Sequence, residues 1–384
     1  MMKELFMLDP DVVFLNHGSF GATPRPVFAE YQRWQANLEC QPVQFLANEL
    51  AGHLQKARAS LGEFLNADKD DLVYIPNATF GVNVVSRSLK LGEGDEVLTT
   101  NHEYGACNNV WQFLSRKIGF TYKQAEISLP ISSDEALVEE VWQGVTPATR
   151  VIFISHISSP TACEFPVKAV CSRARESGIL TVIDGAHAPG QISLDMQAIG
   201  ADFYCGNAHK WLCAPKGSGF LYTRREQQSL IEPLVVGWGW GEGRTFSFGS
   251  DYLDYLQWLG TNDLSAYLAV PAAIRFQEEH DWPSVRRKCH ELLLEALERI
   301  GALTGLDSLY LGDEFHQMAT APLPKIRDLL ELKAQLYDAY RIEVPLIEWE
   351  DQHFIRISVQ AYNTEADIHT LLAALRQLLP IYRA

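Results

Sequence analysis

The sequence predicts an α/β chain with a large domain built on a mostly parallel sheet and a small C-terminal α+β domain. Three observations carry this. Between about Asp71 and Tyr222, short runs rich in Val, Ile, Phe and Tyr alternate with amphipathic stretches, the pattern of strands covered by helices on both faces. After about Gly260 the character changes to long helical stretches followed by isolated strand-like runs. The length, 384 residues, exceeds one average domain and fits one large and one small. The expected division is an N-terminal segment over 1–30 packing near the functional site, a large domain over 31–262, and a linking helix with the small domain over 263–384.

Taken in order, Asn16–Pro26 is rich in Gly, Ser and Pro and reads as a loop. The runs Leu72–Ile75, Glu96–Thr99, Val151–Ser155, Leu180–Asp184, Phe203–Cys205 and Gly219–Tyr222 read as sheet strands. Ala136–Trp142 and Val167–Ser177 read as helices between them. Gly237-Trp-Gly-Trp-Gly241 fits either a wall of the site or a hairpin. Asp263–Gly301 is helical with Pro271 and Pro283 as breaks. Leu329–Tyr340 is helical, Ile342–Ile347 and Phe354–Val359 are strand-like, and Thr364–Leu379 is helical. Thr364 with Asp367 starts that last helix in the manner of a capping box.

Composition removes several function classes. Lys+Arg number 32 against 48 Asp+Glu, a formal charge of −16, so phosphate backbones and anionic membrane surfaces are poor partners. The seven cysteines are odd in number and no pair has Cys-x-x-Cys spacing, so neither a disulfide framework nor a metal site is expected. Met1–Pro10 does not read as a signal peptide, and no run approaches the ~18 apolar residues of a membrane helix. The expectation is a cytoplasmic enzyme acting on a small molecule.

In a parallel sheet, ligands bind beyond the carboxyl ends of the strands. Four features fall there. Asp184 ends one strand and His187 follows three residues later. His209 and Lys210 follow the next strand. Thr79 and Gly81 lie where a strand turns into a helix, and Tyr104 follows another strand. Alone, each reads as a cap, a surface lysine or rim packing. Together they suit pyridoxal 5′-phosphate. A lysine bonds an aldehyde only when deprotonated, which burial favours. The pyridine nitrogen needs a carboxylate, for which Asp184 serves. The phosphate needs a helix N-terminus and small donors, for which Thr79 and Gly81 serve. Tyr104 offers a flat stacking partner. A nicotinamide-binding reading fails, because Gly92-Glu-Gly94 lacks the third glycine of its fingerprint.

Asp184-Gly-Ala-His187 followed by Ala208-His-Lys210-Trp211 resembles the class V aminotransferases of fold type I, the group that includes cysteine desulfurases. Phe14-Leu-Asn-His-Gly-Ser-Phe-Gly21, His102-Glu-Tyr-Gly-Ala106 and Phe203–Tyr222 are most similar to the isopenicillin N epimerase-like branch. The resemblance runs from Leu15 to about Asp367. It implies a mostly parallel seven-stranded sheet and a homodimer. It implies Lys210 as the Schiff-base lysine, Asp184 on the pyridine nitrogen and His187 as donor to the ring's phenolic oxygen. It implies phosphate contacts from Ala78, Thr79, Phe80, His209 and Asn207, the last standing where the family often has Ser. Tyr104 stacks where desulfurases use His. Thr261, in a Gly-Thr turn, reaches a neighbouring subunit's phosphate. Arg356 forks onto the substrate carboxylate. Asn16, His17 and Ser19 either line the substrate mouth or form a Gly-rich turn. Desulfurases also need a thiol on a loop before the Arg strand, and Leu309–Glu350 holds no Cys. That disfavours a desulfurase; the resemblance implies epimerisation, with cysteine or cystine C–S cleavage and transamination as alternatives.

Overall fold

A computed structural model describes residues 2–312 and 314–384. Its strands are β1 (Val13–Phe14), β2 (Leu72–Ile75), β3 (Glu96–Thr100), β4 (Thr121–Ala125), β5 (Thr149–Ser155), β6 (Leu180–Gly185), β7 (Phe203–Asn207), β8 (Gly219–Thr223), β9 (Met318–Leu323), β10 (Ile342–Glu343), β11 (Leu346–Trp349) and β12 (Gln352–Ser358). Seven form one sheet in the order β2-β8-β7-β6-β5-β3-β4. Only β8 runs against its neighbours. The fold is the α/β architecture of the sequence expectation.

Alternate residues of each central strand serve two cores. Val73, Val151, Phe153, Val182 and Phe203 face helices Ala78–Ser88 and Gly105–Ile118 through Val82, Val85 and Trp111. Tyr74, Ile152, Ile154, Ile183 and Tyr204 face the opposite layer with Leu54, Leu61 and Ile274. That two-sided burial is why these strands read as unbroken apolar runs. Truncating one such side chain, Phe153→Ala, would cost about 3–5 kcal/mol. The edge strand β4 keeps Thr121 and Gln124 exposed and was not anticipated, because its polar residues carry no apolar signal.

The small domain carries the antiparallel sheet β11-β12-β9 with helices Leu329–Tyr340 and Glu365–Tyr382. The capping box at Thr364 and Asp367 is present. The run expected over Ile342–Ile347 is split: β10 pairs with β1, whereas β11 pairs with β12. Strand β9, with its small residues and Pro322, was also not anticipated. Ser265–Leu268, Val270–Glu279 and Trp282–Thr304 are separate helices, so the stretch breaks as expected at Pro271 and Pro283. Both prolines lie in the first turns of Val270–Glu279 and Trp282–Thr304, where a missing N–H leaves nothing unpaired.

The N-terminal segment crosses between the two sheets. Val13 and Phe14 pair with β10, and the Ser358 N–H donates to the Leu15 carbonyl at 2.9 Å. A few residues on, Gly21 has φ +70° and a Cβ there would lie 2.0 Å from the His209 carbonyl oxygen. The expected loop Asn16–Pro26 in fact holds a one-turn helix, His17–Phe20, and opens helix Arg25–Cys40. The Gly237–Gly241 run contains no strand, so it is not a hairpin. It is held by Gly239 against the Asp254 backbone, with Asp254 accepting from Arg244 Nη1 at 2.8 Å and Ser247 Oγ at 3.2 Å. No described helix is long and apolar enough to cross a membrane.

Candidate active site

Because β3, β5, β6 and β7 are parallel, their carboxyl ends deliver side chains to one place. The Asn77 cap beyond β2, Tyr104 beyond β3, Ser155 of β5, Asp184 of β6 and Lys210 beyond β7 line a single cleft of about 300 Å³. Larger hollows of about 510 and 760 Å³ lie along the linking helix, and neither is lined by a lysine.

Lys210 Nζ lies 3.1 Å from His187 Nε2. Burial, then the nearby Arg356 charge, pushes the ammonium down to about 8. His187 is pushed well below its usual range, first by burial and then by Lys210. Its tautomer follows from Trp211, whose indole N–H donates to His187 Nδ1 at 3.3 Å. An indole can only donate, so Nδ1 accepts and the ring proton resides on Nε2. That proton faces the Lys210 amine and the cleft. The arrangement is self-consistent when Lys210 is the free amine, the form that can bond an aldehyde.

Asp184 is 3% exposed. Its Oδ1 accepts from the Ala186 N–H at 2.9 Å and its Oδ2 from the Cys107 thiol at 3.4 Å. Burial raises its carboxyl above the usual range. No cation among the described residues forms an ion pair with it, so the site holds a buried acid suited to a protonated ring nitrogen. That donor set fits pyridoxal phosphate. Glu103, unnoticed in the sequence, is buried nearby and accepts from the Thr100 and Ser155 hydroxyls at 2.7 and 2.6 Å. Burial pushes it up to about 7.

At the phosphate end, helix Ala78–Ser88 points its N-terminus into the cleft. Gly81 allows this approach, since a Cβ there would meet Cys205 Sγ at 2.7 Å. The expected contacts are refined here. The Ala78 N–H donates to Asn207 Oδ1 at 2.8 Å and the Phe80 N–H to Asn77 Oδ1 at 2.9 Å, so both are already engaged. Phe80 does not line the cleft, whereas Thr79, Asn207 and His209 do. With its carbonyl tied to Ala78, Asn207 has its amide donors left for an anion. His209 donates from Nδ1 to the Ser218 carbonyl at 2.9 Å, which leaves Nε2 for the cleft.

Arg356, on β12, is buried, and its Nη1 donates to the Ser159 carbonyl and hydroxyl at 2.6 and 3.0 Å. Nη2 donates to Ser19 Oγ at 3.3 Å, and Nε has no partner among the described residues. No carboxylate pairs with this guanidinium among the described residues. Burial pushes it down to about 10. Ser19 and Ser159 both line the cleft. Ser159 follows β5, a strand end that the sequence reading passed over.

Two expectations are corrected. His17 does not line the mouth: it is 0% exposed, donates from Nε2 to the Lys210 carbonyl at 3.0 Å and accepts at Nδ1 from Tyr362. Burial takes it down to about 3. Asn16 donates to Glu343 at 2.9 Å and accepts from Ser19, also outside the cleft lining. Both brace the segment behind Lys210. Thr261 is exposed and apart from the cleft of its own chain.

This constellation has relatives. The family model described as Aminotransferase class-V matches residues 22–371. The chain is 36% identical to an isopenicillin N epimerase of Amycolatopsis lactamdurans, over 98% of this chain and 97% of that one. It is 34% identical to an isopenicillin N epimerase of Streptomyces clavuligerus, over 97% and 96%. Among solved structures, the cystine C–S lyase C-DES in complex with cysteine persulfide superposes with a TM-score of 0.84 at 21% identity, covering 98% of this chain and 99% of that one. The chain belongs to the class V aminotransferase family and is a pyridoxal 5′-phosphate-dependent enzyme.

Proposed function

We propose that this enzyme inverts the configuration at the α-carbon of an amino acid, with isopenicillin N, named in two of its relatives, as the first substrate to test. The observation that carries amino-acid recognition is Arg356: a buried guanidinium with no carboxylate partner among the described residues, bonded to Ser19 and Ser159, which line the cleft with Lys210. A buried cation left unpaired is costly, so it favours an anionic ligand, and a planar fork matches a carboxylate. Epimerisation is further supported by identity spread over nearly the whole chain. Persulfide chemistry is not favoured, because Leu309–Glu350 holds no Cys and Cys289 is buried in a helix.

The roles follow from placement. Lys210 would hold the cofactor and, once released, take the α-proton, since burial lowers its ammonium to about 8 and so raises the share of free amine far above that of a solvated lysine. Asp184 keeps the ring nitrogen protonated. His187 presents its Nε2 proton to the ring oxygen, oriented by Trp211. Thr79, Asn207 and His209 hold the phosphate at the helix N-terminus. Tyr104 covers the ring. Pyridoxal phosphate supplies an electron sink for the α-carbon. The active unit is a homodimer in which Thr261, exposed and outside its own cleft, reaches the other copy's phosphate.

The test is incubation of the cofactor-loaded enzyme with isopenicillin N and a panel of amino acids, followed by chiral chromatography. An inverted product is expected. Pyruvate and sulfide from cysteine, or a keto acid, with no inversion of any substrate would overturn the proposal.

A further inference from the structure

Inverting a carbon centre requires proton-handling groups on both of its faces. Lys210 serves one. The other titratable side chains lining the cleft are Tyr104, Asp184, His187 and His209. Asp184 is bound by the Ala186 N–H and the Cys107 thiol at the floor. His187 is pinned between Trp211 and Lys210, on the side of Lys210 itself. His209 adjoins Lys210 in the chain and is tied to the Ser218 carbonyl. The Ser19 and Ser159 hydroxyls are engaged by Arg356. Tyr104 differs from all of these: its hydroxyl has no hydrogen-bond partner among the described residues, and the residue, which lines the cleft, is 47% exposed.

Topology sets Tyr104 against Lys210. Lys210 follows β7 and Tyr104 follows β3, and the order β7-β6-β5-β3 puts three strand spacings between them. At about 4.8 Å each, that is roughly 14 Å, enough for the two side chains to enter the cleft from opposite sides. Tyr104 caps helix Gly105–Ile118 with extended backbone, so its attachment point is fixed by the helix start. Arg356 lies within electrostatic reach of both Tyr104 and Lys210. A carboxylate held on Arg356 therefore brings its α-carbon between the phenol and the amine.

We infer that the Tyr104 hydroxyl is the second acid–base group, delivering a proton to the α-carbon face opposite Lys210. This rests on the epimerase reading above. In one direction the Lys210 amine would take the α-proton and become an ammonium, the electron pair passing to the electron sink that pyridoxal phosphate would supply. Tyr104 O–H gives its proton to the opposite face and becomes a phenolate, with Arg356 supplying positive charge nearby. The ammonium then loses its proton to water and the phenolate regains one, so no proton or electron is gained or lost. In the reverse direction the roles exchange.

The test is Tyr104→Phe in the loaded enzyme, which keeps the stacking ring and removes only the proton. In deuterium oxide, three quantities are read: inversion, deuterium entry at the α-carbon with retained configuration, and cofactor affinity by visible absorbance. Inversion should fall at least ~100-fold, the scale of a lost general acid. From the enantiomer whose α-hydrogen faces Lys210, deuterium entry with retention should continue within severalfold of wild type. From the other enantiomer it should cease. Cofactor affinity should change by less than about threefold. A Phe variant that inverts within tenfold of wild type overturns this inference alone. Loss of exchange from both enantiomers, or of cofactor affinity, also overturns it by showing a structural role. A wild type that exchanges the α-hydrogen yet inverts no amino acid overturns the epimerase reading and this inference with it.

Discussion

Cofactor uptake by the apoprotein will rise with pH through a midpoint near 8 and then level off. Only the free amine of Lys210 bonds the cofactor aldehyde, and burial together with Arg356 pushes that amine down to about 8. Each pH unit changes the ratio of free to protonated amine tenfold, so roughly a tenth is free at pH 7 and roughly nine-tenths at pH 9. The uptake rate should therefore gain about tenfold over that interval and gain little above it. A solvated lysine, ionising near 10.4, would go from roughly 0.04% to roughly 4% free, a ~100-fold gain with no plateau. The assay is stopped-flow growth of visible absorbance on mixing apoprotein with pyridoxal phosphate from pH 6 to 10. Arg356→Leu removes the nearest positive charge and should move the midpoint upward. A rate still climbing tenfold per unit at pH 10, or one independent of pH, would refute the account of Lys210.

Three further outcomes follow. Gly21→Ala should destabilise by about 2 kcal/mol or more, because its Cβ would meet the His209 carbonyl at 2.0 Å with φ at +70°; a melting temperature equal to wild type would contradict this. Trp211→Phe keeps a ring but loses the donor that sets the His187 tautomer, a loss of about 1–2 kcal/mol, so cofactor affinity should fall roughly 5- to 30-fold by titration; unchanged affinity would show the tautomer to be set elsewhere. Asp184→Asn should abolish most turnover without lowering the apoprotein's melting temperature near neutrality. Burial already raises this carboxyl, so the native apoprotein gains no stability there from its charge, and removing a charge that folding disfavours leaves the fold intact; near-normal turnover would contradict the ring-nitrogen role.

What could be read from the sequence followed the reach of each signal. Strands β5 to β8 announce themselves because helices or chain cover both faces, leaving an apolar run in the sequence. Edge strand β4 does not, because Thr121 and Gln124 face water. Lys210, Asp184, His187 and Thr79 were visible through one rule, that parallel strands deliver chemistry at their carboxyl ends. Ser155 and Ser159 obey the same rule and were overlooked. Other partnerships have no local sequence signal. Cys107 reaches Asp184 from 77 residues away, and Asn16 finds Glu343 across 327. Asn16 and His17 were expected either at the substrate mouth or in a Gly-rich turn. Their burial arises from pairing with the small domain, which only the fold reveals.

The central claim is that Lys210 carries the cofactor in the cleft between β7 and β3. It is tested most directly by loading the enzyme with pyridoxal phosphate, reducing it with borohydride, digesting it and mapping the phosphopyridoxyl group by mass spectrometry. The account predicts that group on the peptide containing Lys210, in stoichiometric amount, and its disappearance in Lys210→Ala. Stoichiometric modification of another lysine, or equal labelling of the Lys210→Ala protein, would contradict it.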